Sequence, residues 1–207
     1  MPAMTPATLL AAVRDTCRAA AQRHPDAAGK LGTILTALDR VRPFAAVSTA
    51  PLPPQVERSL ATAAALAHAS TGPLATALAA CAPSLPWFAQ RDEKAPPDVQ
   101  AFQAGYAYGV LVGPSRDATP PPWASPDVRL GFAIQSPNTF YPPHAHRAVE
   151  IYGILGGYAD WLRGTVWTVR SAGEFFVHES EQVHAMRTHG DPMMTLWAWI
   201  LEGHSGR

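Results

Sequence analysis

The sequence predicts a mainly β protein with an α-helical amino-terminal region, its β part folding as a small antiparallel barrel or sandwich. Three observations predict it. From Thr5 to about Ala82 the chain is rich in alanine and leucine, with apolar residues at helical spacing. From Tyr106 onward it breaks into short alternating segments punctuated by glycine turns. No helical crossover of the length that a parallel sheet needs lies between those segments.

Taken in order, Leu9, Val13, Cys17 and Ala20 set the first helix, which Thr5 caps and Pro6 begins. Pro25 and Asp26 separate it from a second helix carrying Leu31, Ile34, Leu35 and Leu38. A third helix is expected over Pro54 to Ala69, stopped by Gly72 and Pro73, with a shorter fourth running to Ala80. The proline-rich stretches Pro51 to Pro54, Pro83 to Pro97 and Pro114 to Pro126 read as breaks and loops. Alternation at Tyr106, Tyr108, Val110 and Val112 marks a strand, with room for a short helix before it. Further strands are expected over Val128 to Gln135, His144 to Leu155, Tyr158 to Leu162, Thr165 to Arg170, Glu174 to Val177, Val183 to Thr188 and Met194 to Leu201. Gly156-Gly157, Arg163-Gly164 and Ala172-Gly173 supply turns between them. The expected division is a helical region over residues 1–100 packed on a β-barrel over 101–207, the two forming one compact unit.

Composition excludes several functions. Zero formal net charge argues against a nucleic-acid footprint or a polybasic membrane patch, and no apolar run approaches the roughly 20 residues that cross a bilayer. The first residues read as a helix of a mature protein, so a cytoplasmic location is the default expectation. Cys17 and Cys81 are too few and too distant for a disulfide framework or a zinc knuckle. Neither a phosphate-binding glycine loop nor a G-x-S-x-G nucleophile motif occurs. The expected partner is a small-molecule substrate, with the chain as a monomer or homodimer.

The chemistry concentrates between Phe140 and Tyr152, FYPPHAHRAVEIY. His144, His146, Glu150 and Tyr152 share one parity, which in an extended strand is one face. Two imidazoles, a carboxylate and a phenol on a buried face each need a partner, and a metal ion is the simplest one. Imidazole and carboxylate suit Zn, Fe, Mn, Co or Ni, so one divalent transition metal ion is the expected cofactor.

His144-x-His146-xxx-Glu150, followed by Gly156 or Gly157 and then by Gly173 and His184, resembles the paired metal motifs of the cupin superfamily. The resemblance implies a double-stranded β-helix barrel, with His144, His146, Glu150 and His184 as metal ligands. The chain departs from the pattern at Asn138, where cupins carry glycine, and at Glu179 and Glu181, where the second motif carries proline and glycine. Within the cupins, Tyr141-Pro-x-His144, Tyr152 two residues after Glu150, and the downstream His184 and Trp199 resemble dimethylsulfoniopropionate lyases of the Q type, over most of the chain.

That resemblance implies a β-elimination yielding dimethyl sulfide and acrylate, with Tyr152 as base, Tyr141 as a second catalytic or substrate-facing phenol, and Trp199 lining the pocket against a sulfonium cation. A second arrangement puts Tyr152 on the metal and one histidine against substrate. A cupin dioxygenase or isomerase with another small substrate, or a non-catalytic metabolite-binding cupin, would use the same ligand set. His178, His189 and His204 read as ordinary hydrogen-bonded residues, and His24 and His68 as helical surface residues.

Overall fold

The computed structural model describes residues 5–44, 50–116 and 119–201, so that His204 lies outside the described residues. Its elements run α1 (Pro6–Arg23), α2 (Pro25–Leu38), β1 (Arg42–Pro43), α3 (Pro54–Ala65), α4 (Gly72–Cys81), β2 (Trp87–Phe88), α5 (Pro97–Gly105), β3 (Tyr106–Gly113), β4 (Trp123–Ala124), β5 (Val128–Gln135), β6 (Phe140–His144), β7 (Val149–Gly156), β8 (Tyr158–Arg163), β9 (Val166–Ser171), β10 (Phe175–His178), β11 (His184–Arg187) and β12 (Met193–Ile200).

Local chemistry explains the helix boundaries. Thr5 caps α1 by accepting from the Thr8 amide, while the Thr8 hydroxyl accepts from the Thr5 amide in a reciprocal box. Gly72-Pro73 does not stop the third helix, as expected from sequence, but opens α4; proline fits a first turn, where its missing N–H is not needed. The third helix correspondingly ends at Ala65.

The strands form an eight-stranded sheet ordered β1-β4-β3-β5-β12-β7-β10, with β2 beside β3, and a four-stranded sheet ordered β6-β11-β8-β9. The β half is thus a sandwich of two sheets among the described residues, and not the closed barrel expected from the sequence. Both faces of the larger sheet are buried. Leu130, Phe132, Ile134, Ile151, Leu155, Met194, Leu196 and Ala198 point to the helices and pack with Leu31, Leu74 and Leu78. Alternate residues, among them Tyr152, Ile154 and Trp197, point between the sheets toward Trp161 and Met186. Burying a leucine is worth roughly 1.5–3 kcal/mol, more than the span of ordinary helix propensities. Docking on the sheet, not alanine content, therefore holds the helices.

His144 to Leu155 is not one strand. β6 ends at His144, a turn covers 145–148, and β7 restarts at Val149 in the other sheet. The two positions that carry glycine in the cupin pattern keep a glycine-type backbone here: Asn138 has φ +54° and Glu181 φ +59°. The Glu181 amide donates to the His146 carbonyl, so this turn steadies the histidine segment.

The helices approach the sheet closely at the end of β7. The Thr71 hydroxyl donates to the Leu155 carbonyl at 2.7 Å, and a Cβ added to Gly156 would stand 2.0 Å from the Ala63 carbonyl oxygen. Gly156→Ala should therefore destabilise the protein by about 1–3 kcal/mol in denaturant melts. Gly190→Ala, where nothing lies within 4 Å, should cost no more than about 0.5 kcal/mol.

Candidate metal centre

Four segments converge between the sheets. His144 ends β6, His146 sits in the following turn, Glu150 and Tyr152 lie on the inner face of β7, and His184 begins β11 directly across from His144. One nitrogen of each of His144, His146 and His184 lies within 4.8 Å of the others. Glu150 Oε2 is 3.0 Å from His146 Nε2 and 3.2 Å from His184 Nε2. The residues meet across a turn and two sheets, not along one strand face.

Backbone carbonyls orient all three rings. Nδ1 of His144 lies 3.0 Å from the Pro142 oxygen, that of His146 2.9 Å from Ala148, and that of His184 2.9 Å from Gln182. A carbonyl only accepts, so in each neutral ring Nδ1 carries the proton and Nε2 is left with its lone pair, while a protonated His146 donates from Nε2 to Glu150. His184 Nε2 is buried without a hydrogen bond: although close to Glu150, it is not aligned to donate to it. A buried nitrogen so placed is suited to a metal ion, and the three imidazoles can hold one.

Charge at the centre is concentrated on Glu150. Burial alone would raise its pKa, but the hydrogen bond with His146 and the closeness of His184 outweigh burial and hold it at about 2. Its other oxygen accepts the Trp199 indole N–H at 2.7 Å. The same carboxylate raises the pKa of His146, chiefly through their hydrogen bond. Burial, then the neighbouring His184, lowers that of His144 to about 4.

Tyr152, only 3% exposed, stands edge-on to Trp161. Burial, then the Glu150 charge, raises its phenol well above the usual value. Tyr141 is stacked between His144 at 4.1 Å and Phe102 at 4.3 Å, and burial raises its pKa too. Trp199 lines the pocket, with its N–H committed to Glu150. The cavity that these residues line has a volume of about 340 Å³, and Phe88, Tyr108 and Trp197 line it as well.

Some participants were not anticipated from sequence. His178 is hydrogen-bonded, as expected, accepting the Trp161 indole N–H at 2.9 Å. It is also fully buried and stacked on His184 at 4.2 Å with ring planes 12° apart. Its register opposite Glu150 makes it a neighbour of the centre, a relation that becomes visible only once β10 is paired with β7. Tyr106 and Tyr108 were read simply as strand residues, yet both line the cavity. His189 pairs with Asp160 at 3.0 Å, outside the pocket lining.

A model of the dimethylsulfoniopropionate lyase family matches residues 31–195. The chain belongs to that family. Dimethylsulfoniopropionate lyase DddQ of Ruegeria pomeroyi is 35% identical over 79 residues, a stretch spanning 38% of this chain and 39% of that relative. A solved structure described as that of the dimethylsulfoniopropionate lyases RdDddP and RnDddQII matches with a TM-score of 0.72 at 24% identity, over 98% of this chain and 95% of the other. The crystal structure of the Ruegeria pomeroyi lyase DddQ matches with a TM-score of 0.69 at 24% identity, over 86% and 85% of the two chains. At that identity the two structures establish the shared fold of these lyase-family chains. No described helix is long and apolar enough to cross a membrane.

Two outcomes follow from this centre. His178→Phe keeps a ring against His184 but leaves the buried Trp161 N–H without its acceptor, so thermal melts should show a loss of about 1–3 kcal/mol. In the metal-free protein, His144 and His178, with pKa values of about 4 and about 3 against 6.5 when free, are not protonated at pH values where the unfolded chain is. Stability should therefore fall as pH drops from about 6.5 toward about 4, and Glu150 should add a further loss from 4.5 toward about 2. His146, with its raised pKa, acts oppositely: its contribution is full below 6.5 and fades as pH rises through its folded value. Urea melts across this range should show the net acid loss, and His144→Asn should flatten the part above pH 4.

Proposed function

We propose that this chain is a metal-dependent carbon–sulfur lyase that cleaves dimethylsulfoniopropionate to dimethyl sulfide and acrylate by β-elimination. The observation that carries the reading is a buried phenol, Tyr152, beside a three-histidine, one-carboxylate cluster in a chain of this family. His144, His146, His184 and Glu150 would hold the ion. A bound divalent cation supplies Lewis-acid stabilisation of the substrate carboxylate and a positive charge that favours a phenolate nearby.

The protein's own groups do the rest. Without added positive charge Tyr152 stays protonated, because burial and Glu150 both oppose its phenolate, so a base role ties activity to the loaded site. As phenolate, Tyr152 takes the proton from the carbon alpha to the carboxylate. The C–H electron pair forms the carbon–carbon double bond, and the carbon–sulfur pair leaves with sulfur as neutral dimethyl sulfide. Tyr141, wedged between Phe102 and His144, is placed as a second phenol on the pocket wall and would fix substrate orientation. Trp199 holds the oxygen of Glu150 that does not face His146, leaving the other for the ion.

Purified protein loaded with a divalent transition metal and supplied with dimethylsulfoniopropionate should release dimethyl sulfide, measurable in the gas phase, without consuming oxygen. Tyr152→Phe should lower kcat by about 10²- to 10⁴-fold while metal content is retained. Absence of metal-dependent product, or a Tyr152→Phe enzyme equal to wild type, would overturn the reading.

A further inference from the structure

We infer that Trp161 and His178 act as a positioning pair, one buried hydrogen bond that holds the Tyr152 phenol and the His184 imidazole in fixed relation to each other. Its kinetic consequence rests on the lyase reading; its consequence for the metal centre does not.

The pair stands outside the pocket. Trp161 on β8 and His178 on β10 are fully buried, and neither is among the described residues that line the cavity. They come from different sheets: β8 lies beside β11, which carries His184, and β10 lies beside β7, which carries Tyr152. The Trp161 indole N–H donates to His178 Nε2 at 2.9 Å, so this contact bridges the two sheets.

Each partner bears on a different ring of the centre. His178 stacks on His184 with centroids 4.2 Å apart and planes 12° apart, and that plane limits where His184 Nε2 can aim. Trp161 meets Tyr152 edge-on, with centroids 4.8 Å apart and planes at 66°. Phe176 meets the same indole at 4.9 Å and 80°, a second contact that resists its rotation.

His178 is not itself placed to hold the ion. Its Nε2 lone pair is taken by the indole, and the nitrogens that group within 4.8 Å belong to His144, His146 and His184. A buried imidazole engaged in this way restrains its neighbours instead, because to rotate it must leave the indole N–H unpaired away from water. Stacking alone lets a ring turn in its own plane, and the hydrogen bond removes that freedom. Rotation of His178 would displace His184, and rotation of Trp161 would displace Tyr152. Proton removal from carbon needs the phenol oxygen in place, and a misplacement of about 1 Å can cost about 10²-fold in rate.

The test removes the hydrogen bond from either end. His178→Phe keeps a ring on His184 without the acceptor, Trp161→Phe keeps a ring on Tyr152 without the donor, and His178→Gln keeps an acceptor for the indole. Two readouts are compared: the visible spectrum of the cobalt(II)-loaded protein, which reports ligand geometry at the ion, and kcat and KM for dimethylsulfoniopropionate. His178→Phe and Trp161→Phe should shift the cobalt bands and lower kcat by about 10- to 100-fold with KM within about two-fold, because neither side chain lines the pocket. His178→Gln should keep the wild-type bands and at least about a third of wild-type kcat. The double variant His178→Phe/Trp161→Phe leaves neither donor nor acceptor unpaired, so it should fold even where a single variant does not, and its losses should match those of the singles. Wild-type cobalt bands in a folded variant lacking the bond, a change in KM alone, or a His178→Gln protein as impaired as His178→Phe would overturn the inference. Shifted bands in variants of a wild type that releases no dimethyl sulfide would sink the lyase reading and leave the positioning of His184 standing.

Discussion

The candidate centre depends on one repeated contact, an imidazole Nδ1 held by a backbone carbonyl two residues away. His144, His146 and His184 each make it, to Pro142, Ala148 and Gln182. Each contact fixes both the tautomer and the ring direction, and together they turn three Nε2 atoms onto one point. Because the contacts are local, the turns that carry them must be held in place. The Glu181 amide does this for His146, and the β6–β11 pairing does it for His144 and His184.

Glu150 adds a different constraint. It is 3% exposed, faces two histidines and accepts an indole N–H, so its charge is balanced by direct partners and not by water. The same charge opposes ionisation of Tyr152. A site of this kind cannot present both a free carboxylate and a phenolate, and any positive charge brought to the histidines shifts the balance in favour of the phenolate.

Much of the fold was legible in the sequence because its signals are local. The Thr5-Pro6 cap, the break at Pro25 and the strand over Val128 to Gln135 depend on near neighbours. Gly72-Pro73 misled because the same pair can end one helix or begin another, and only the packing of α4 decides. The four residues expected to hold the metal do come together, but the strand-face argument for His144 through Tyr152 does not describe how: a turn over 145–148 interrupts it. The motif resemblance groups them because it encodes a tertiary arrangement that periodicity cannot. His178 and the edge-on contact of Tyr108 with Trp197 were not anticipated because both arise from sheet pairing between segments far apart in the chain.

β7 has two differently loaded ends. One bears Glu150 and Tyr152; the other, at Leu155 and Gly156, is tied to Thr71 and lies bare against the Ala63 carbonyl. With no side chain at that junction to absorb a shift, a displacement of α3 is passed directly to the strand that carries Glu150 and Tyr152. The helices are then a remote adjustment for the centre, through which substitutions far from the pocket reach the spacing between carboxylate, phenol and imidazoles.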